Sequence, residues 1–403
     1  MACLVSRGWA RVKLVLPLAF AFAAFAQPTQ LVPVGPTEPT ERITGVYCQG
    51  PASCVVTTES GDRGHLYASD GKDITATLIT SDYDLGEEFG VLGAVRLMGF
   101  AQVGDTVYVL MDGAANALLT NSGDLTDPEA WERSSLGLPE GRDGFGGNLQ
   151  IGLGTDGSGW TLVVRNMVYT SDDAPGPGAV WYETWAPTPP GETPADISRR
   201  FRDDPTLCIA LPTVGISPTP TQMGYVAPDL ALIVSPAGAR NQQGTAEPGV
   251  CVSTDGGETF HHVPFEGVEG DLGPLGVTCA GEVCAAYGGL QNAPESTYIF
   301  VTHDAGAGSA ASWTRATLPS LRDDARFRAV DFAPGGVVGW AVGAVGSSAP
   351  LALMTNDGGL TWKDVSSLVR EHAADTRLHT VYAPDETHVW IGGENGLLLS
   401  GGY

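Results

Sequence analysis

Residues 353–362, L-M-T-N-D-G-G-L-T-W, constrain this chain more than any other stretch, because they recur. A near copy stands at 250–260, V-C-V-S-T-D-G-G-E-T-F, and the shared core reads Ser/Thr-x-Asp-Gly-Gly-x-Thr-Trp/Phe. Asp255 and Asp357 can accept hydrogen bonds from backbone N–H groups of a turn, and Gly256-Gly257 and Gly358-Gly359 can adopt positive φ. Phe260 and Trp362 then close over the hairpin. Each copy joins two strands, which commits the chain to repeated antiparallel pairs.

Self-similarity extends beyond the hairpin to a four-stranded unit of roughly fifty residues. Unit six is the template, with strands expected at 328–333, 339–343, 351–355 and 361–365. Unit one is read at 43–79 with 66–70 in the hairpin position, unit two at 97–136, unit three at 149–185, unit four at 223–265 and unit five at 277–318. Stretched hairpins stand at 120–131, 170–181 and 302–313. Unit seven has strands at 378–383, 388–393 and 397–400, and its fourth strand is missing. Seven units result, with six as the alternative count. Residues 188–221 fit no unit and form the largest insertion.

Arg7, Arg11 and Lys13 precede an apolar run at 14–25 that closes on Ala24-Phe25-Ala26, the pattern of a cleaved export signal over 1–26. The run is too short for a comfortable membrane span. The expected mature chain therefore begins at Gln27, 403 residues less 26 leaving 377, in the periplasm or the medium. Losing three cations takes the formal charge from −25 to −28, and such a surface repels nucleic acid and anionic lipid. With 54 Gly and 28 Pro the composition suits short strands and tight turns, and the length exceeds a usual single domain unless the fold is a repeat.

Residues 27–41 are a Pro/Thr-rich leader before the repeats at 42–403. An unfinished unit seven leaves an exposed sheet edge. Residues 30–34, Q-L-V-P-V, are predicted to return and pair with 397–400 as its outermost strand, where Pro33 is tolerable.

Cys3 falls in the export signal, and six cysteines remain, an even number in an exported chain. Cys48 and Cys54 flank the first turn of unit one, and Cys279 and Cys284 the same turn of unit five, so each pair can bridge neighbouring strands. Cys208 and Cys251 are left to tie the insertion to unit four. No clustered His/Cys spacing suggests a metal site. Calcium on hairpin or loop acids is the one ion left open, without EF-type spacing.

The repeat resembles the Asp-box, or BNR, repeat of sialidases, sortilin-type receptors and proteins like the photosystem II assembly factor. That resemblance implies an all-β fold, a β-propeller of seven four-stranded antiparallel blades closed by the N-terminal strand. It also implies that Asp255, Gly257, Phe260, Asp357, Gly359 and Trp362 are structural fasteners on the blade periphery. The segments G-W-A-V-G (339–343) and W-I-G-G-E-N-G (390–396) are most similar to the non-catalytic assembly-factor-like propellers. An arginine-rich face serves partner binding there, and the resemblance carries that role to Arg328 and Arg377, then to Arg42 and Arg96.

Arginine recurs where first strands begin: Arg42, Arg96, Arg328 and, one residue further off, Arg377, with Arg142, Arg199, Arg200, Arg202, Arg322, Arg326 and Arg370 in or beside the same connections. A guanidinium ring at a channel mouth can clamp a carboxylate or phosphate through its forked donors. Local pairing is the competing role, since Asp203-Asp204 follow Arg202 and Asp323-Asp324 follow Arg322. The expected partner is a protein, an anionic glycan or a small anion, bound by a monomer without a cofactor.

An enzyme is the alternative. Sialidases place three arginines on the substrate carboxylate beside a Tyr–Glu pair and an acidic proton donor, but their F-R-I-P element is absent. E-R-I-T (41–44) and F-R-A-V (327–330) are nearest, and no catalytic residue is assigned. Other glycosidases need two facing carboxylates, and none of the 46 acidic residues stands out as such a pair. His261 and His262 are adjacent on a strand and point to opposite faces. Trp340 and Trp390, equivalent in units six and seven, are expected to pack between units rather than to stack on sugar.

Overall fold

The computed structural model describes residues 31–34, 41–50, 53–60, 63–80, 96–103, 105–112, 117–136, 149–153, 160–164, 167–173, 178–183, 207–208, 222–227, 230–234, 239–240, 246–256, 259–268, 275–290 and 293–402. The expected export signal, most of the insertion, and Arg142, Arg199, Arg200, Arg202 and Gly257 lie outside them.

Burial assorts by strand position. Gly339–Val345 and Ala349–Thr355 are buried along almost their whole length, as middle strands of a sheet covered on both faces must be. Ala325–Phe332, the first strand of the same sheet, alternates between buried and open positions. Apolar runs of this kind recur, and the described residues form seven four-stranded sheets, one to seven along the chain, and one two-stranded ribbon. The first strands are Arg42–Gly50, Arg96–Val103, Leu149–Leu153, Gln222–Ala227, Gly276–Ala280, Ala325–Phe332 and Leu378–Asp385. Each lies against the first strand of the next sheet, and the seventh lies against the first.

Sheet seven takes a strand from the other end of the chain. Leu31–Pro33 pairs antiparallel with Leu398–Gly402, placing Leu31 opposite Gly401 and Pro33 opposite Leu399. Val34 adds a bond from its N–H to the Leu398 carbonyl, 2.9 Å, and Leu31 is buried.

The core lies between successive sheets. One apolar cluster joins sheets six and seven around Trp340, and another joins seven and one around Trp390; both indoles are buried. The two tryptophans occupy the same register, opposite Asp331 and Tyr382, so the inter-sheet packing expected of them is observed.

Two details depart from the repeat. The fourth strand of sheet six is Lys363–Asp364 rather than 361–365, because Thr361 gives its N–H and hydroxyl to Asp357 and Trp362 gives its N–H to the Thr317 carbonyl. Sheet four also carries the ribbon Ala239–Arg240 with Ala246–Glu247 between its second and third strands, an addition to the four-stranded unit.

Three disulfides join the cysteines. Cys48–Cys54 and Cys279–Cys284 each link residues directly opposite on paired strands. Cys208–Cys251 ties the described part of the insertion to sheet four, where Leu207 also bridges to His261.

Candidate functional site

Thr355 lies opposite Gly339, and Gly339 opposite Phe332, so the hairpins sit where first strands finish. At this end the carboxylates are consumed by their own turns. Asp357 Oδ1 accepts from the Thr355 hydroxyl at 2.8 Å and the Thr361 N–H at 2.9 Å, and Oδ2 accepts from the Thr361 hydroxyl at 2.5 Å. Asp255 repeats this with Ser253 and Thr259. Asp304 does so across a longer turn, accepting from Thr302 and from Ser312. Gly358 and Gly359 have φ of 72° and 87°, and the Trp362 indole donates to the Gly359 carbonyl at 2.8 Å. Trp362 and Phe260 are buried. A wider repeat runs through these hairpins: Ser69, Asn121, Ser171, Ser253, Thr302 and Thr355 are short, buried polar residues ending the third strands of six sheets.

The arginines lie at the opposite end, where first strands begin. Arg42 pairs with Glu59, its neighbour across the ladder. Arg377 reaches Glu394 at 3.5 Å, and its Nε donates to the Ser347 carbonyl of sheet six. Arg96 stands in register with Asp112; its side chain lies outside the described residues. In sheets one, two and seven, an arginine at the start of the first strand thus faces an acid at the end of the second. Most of these acids are distant in sequence, although Arg322 does pair with nearby Asp324 at 3.1 Å.

Arg328 differs. It is exposed, and among the described residues it forms no ion pair. Its carbonyl accepts from the Tyr287 hydroxyl of sheet five at 3.2 Å. Desolvation first, then the facing charges of Arg377, Arg326 and Arg42, hold its guanidinium below the ordinary arginine value, opposed by Glu394. It stays cationic all the same. His379 bonds Glu394 at 3.3 Å; burial lowers its pKa, the bond to Glu394 opposes, and Arg42 and Arg328 lower it further. Charges from sheets six, seven and one therefore act on one shared space.

Register separates these residues into two sets. A β-bulge interrupts the first strand between Ile43 and Gly45, Leu97 and Gly99, Phe327 and Ala329, and Leu378 and Thr380. The extra residues are Thr44, Met98, Arg328 and His379. Two positions earlier stand Arg42, Arg96, Arg326 and Arg377, so Arg326, not Arg328, is the repeat equivalent of the other three. Sequence alignment places Arg328 there instead because Arg326-Phe327-Arg328 offers two arginines two residues apart, and the bulge that tells them apart leaves no mark in strand composition. Gly343 makes room for this turn of the backbone, since a Cβ there would lie 1.8 Å from the Arg326 carbonyl oxygen.

Near the far end of the first strand of sheet six, Asp331 Oδ2 accepts from the Ala383 N–H at 2.8 Å, and Thr278 also bonds the carboxyl. Sheets five, six and seven meet on this group. Burial pushes its pKa up to about 7, against the lowering effect of those bonds. A Tyr–Glu pair does occur, Tyr67 to Glu41 at 2.9 Å, but both residues are buried. Among the described residues no three or more His, Cys, Asp or Glu gather as a metal site.

No protein-family profile and no curated protein matches the chain. Solved structures do. YCF48 from Cyanidioschyzon merolae is similar over 93% of this chain and 98% of its own, with a TM-score of 0.59 at 11% identity. A structure of YCF48 bound to D1 peptide covers 94% and 97%, with a TM-score of 0.57 at 12% identity. A catalytically inactive virginiamycin B lyase from Staphylococcus aureus with quinupristin covers 93% and 99%, at 0.58 and 11%. At such identities the likeness concerns the fold alone, and the fold is a β-propeller.

Proposed function

We propose that this chain is an exported, non-catalytic binding or assembly propeller, seven-bladed and closed by Leu31–Pro33, with Asp-box hairpins as fasteners. It recognises a protein or an anionic ligand at the end where Arg42, Arg96, Arg328 and Arg377 start or flank the first strands. The observation that carries this reading is Arg328, exposed and without an ion-pair partner among the described residues, in a space it shares with Arg42, Arg326 and Arg377. A forked cation without an ion pair among the described residues, in a chain of formal charge −25, is poised for an anion from outside. The three disulfides accord with an oxidising compartment. YCF48, which shares the fold, has been solved with a peptide bound, and that supports protein recognition as the class of activity.

Replacing Arg42, Arg328 and Arg377 together by Ala is expected to abolish capture of the partner from the exported protein fraction. Unchanged capture refutes the reading. Turnover of fluorogenic sialosides or of a polysaccharide panel, dependent on a carboxylate at the mouth, would replace it with a glycoside hydrolase.

A further inference from the structure

Four consecutive sheets of the ring, six, seven, one and two, each carry a bulge at the same place in the first strand. A bulge takes one residue out of the ladder and re-aims its side chain, and bulges cluster beside functional sites. The side chains they release are not equivalent. Thr44 gives its hydroxyl to Thr57 at 2.9 Å, whereas among the described residues the Arg328 side chain has no ion pair and the His379 ring bonds Glu394. The arginines two positions earlier are occupied, Arg42 by Glu59 and Arg377 by Glu394 and Ser347.

Resting on the reading of the mouth as a binding site, we propose that the bulged residues Arg328 and His379 make the direct contacts to an oxyanion, a carboxylate or a tetrahedral phosphate or sulfate group. Arg42 and Arg377 hold the rim. Arg328 supplies two parallel N–H donors, and its backbone is pinned by Tyr287. With Nε2 of His379 facing the Glu394 carboxylate, Nδ1 is the nitrogen left to meet a ligand. In the free protein Nδ1 has no proton to give at neutral pH, since burial and the facing Arg42 and Arg328 keep the ring neutral, against Glu394. An anion beside Nδ1 favours its protonation, so binding takes up a proton and strengthens as pH falls.

Calorimetric titration of the full chain with sodium sulfate and with sodium acetate tests this. Sulfate does not titrate between pH 5.5 and 7.5, and the small protonation of acetate near pH 5.5 weakens binding as pH falls, opposite to the predicted trend; whichever probe binds more tightly names the source, a phosphate- or sulfate-bearing ligand or a carboxylate-bearing one. Arg328→Gln should weaken the better probe ~10-fold or more, with Arg328→Lys in between, and Arg42→Gln should weaken it measurably but by less than Arg328→Gln does. His379→Gln should flatten the pH dependence, an effect that a merely structural role would not produce. No binding of either probe at tens of millimolar, an Arg42→Gln loss as large as that of Arg328→Gln, or an unaltered pH dependence in His379→Gln overturns the proposal. If sulfate or acetate binding depends on Arg328 while partner capture survives the triple Ala variant, the proposed function fails and this inference stands. If capture is lost but Arg328→Gln leaves both probes unaffected, the reverse holds.

Discussion

Asp331 and Asp357 belong to the same sheet and respond to it in opposite ways. Burial tends to raise Asp357, but bonds from Thr361 and Thr355 more than offset this, and its carboxyl sits below the ordinary aspartate value. Its contribution to stability is present above pH 3.8 and is lost as pH falls through the lower folded value. Asp357→Ala should cost about 1–3 kcal/mol in denaturant unfolding at pH 7, a difference that shrinks below pH ~4. Asp331 has the reverse sign: its contribution is full below 3.8 and is lost as pH rises through about 7. Asp331→Asn should therefore remove on the order of 2–4 kcal/mol of the stability difference between pH 5 and pH 8. Parallel stability curves for the two proteins across that range would contradict the assignment. Asp357 was legible because its partners lie within four residues; Asp331 was not, because Thr278 and Ala383 come from neighbouring sheets. The acids opposite Arg42 and Arg377 escaped notice for the same reason, being set by strand pairing rather than by chain proximity.

Strands and crosslinks were read more fully than side-chain partners. The returning strand was visible as an apolar Q-L-V-P-V segment and a last unit short of one strand, and the pairing of Leu31–Pro33 with Leu398–Gly402 places it there. Leu31→Asp should lower the thermal midpoint and promote aggregation through the uncovered edge, both read by scanning calorimetry with light scattering. The cysteines were legible because two pairs flank equivalent turns. Their closed loops differ, spanning 6 and 5 residues in the strand pairs against 43 for Cys208–Cys251. Chain entropy alone then predicts a loss of about 4 kcal/mol for Cys208→Ser with Cys251→Ser, against about 2 kcal/mol for either short pair. Equal losses would show that loop closure does not govern these bridges. The ribbon in sheet four and the bulges left no such trace, since both depend on local backbone departures that ordinary residues accommodate.

At the scale of the molecule the two ends of the sheets differ in chemistry. One end is fastened by hairpins whose carboxylates are satisfied within their own turns; the other gathers cations in an otherwise acidic chain. Attraction of an anionic partner to that end should weaken with salt, so the association rate should fall several-fold between 50 and 300 mM NaCl, at roughly constant dissociation rate. Two exposed leucines allow the ends to be compared directly. Leu275, whose N–H donates to the Tyr287 carbonyl, stands on the arginine end, and Leu360 lies in the hairpin of sheet six; each is 40% exposed. A photocrosslinking amino acid placed at either site, followed by capture from the exported fraction, reports which end meets the partner. Crosslinks from position 275 and none from position 360 are predicted; crosslinks from position 360 alone would contradict the account.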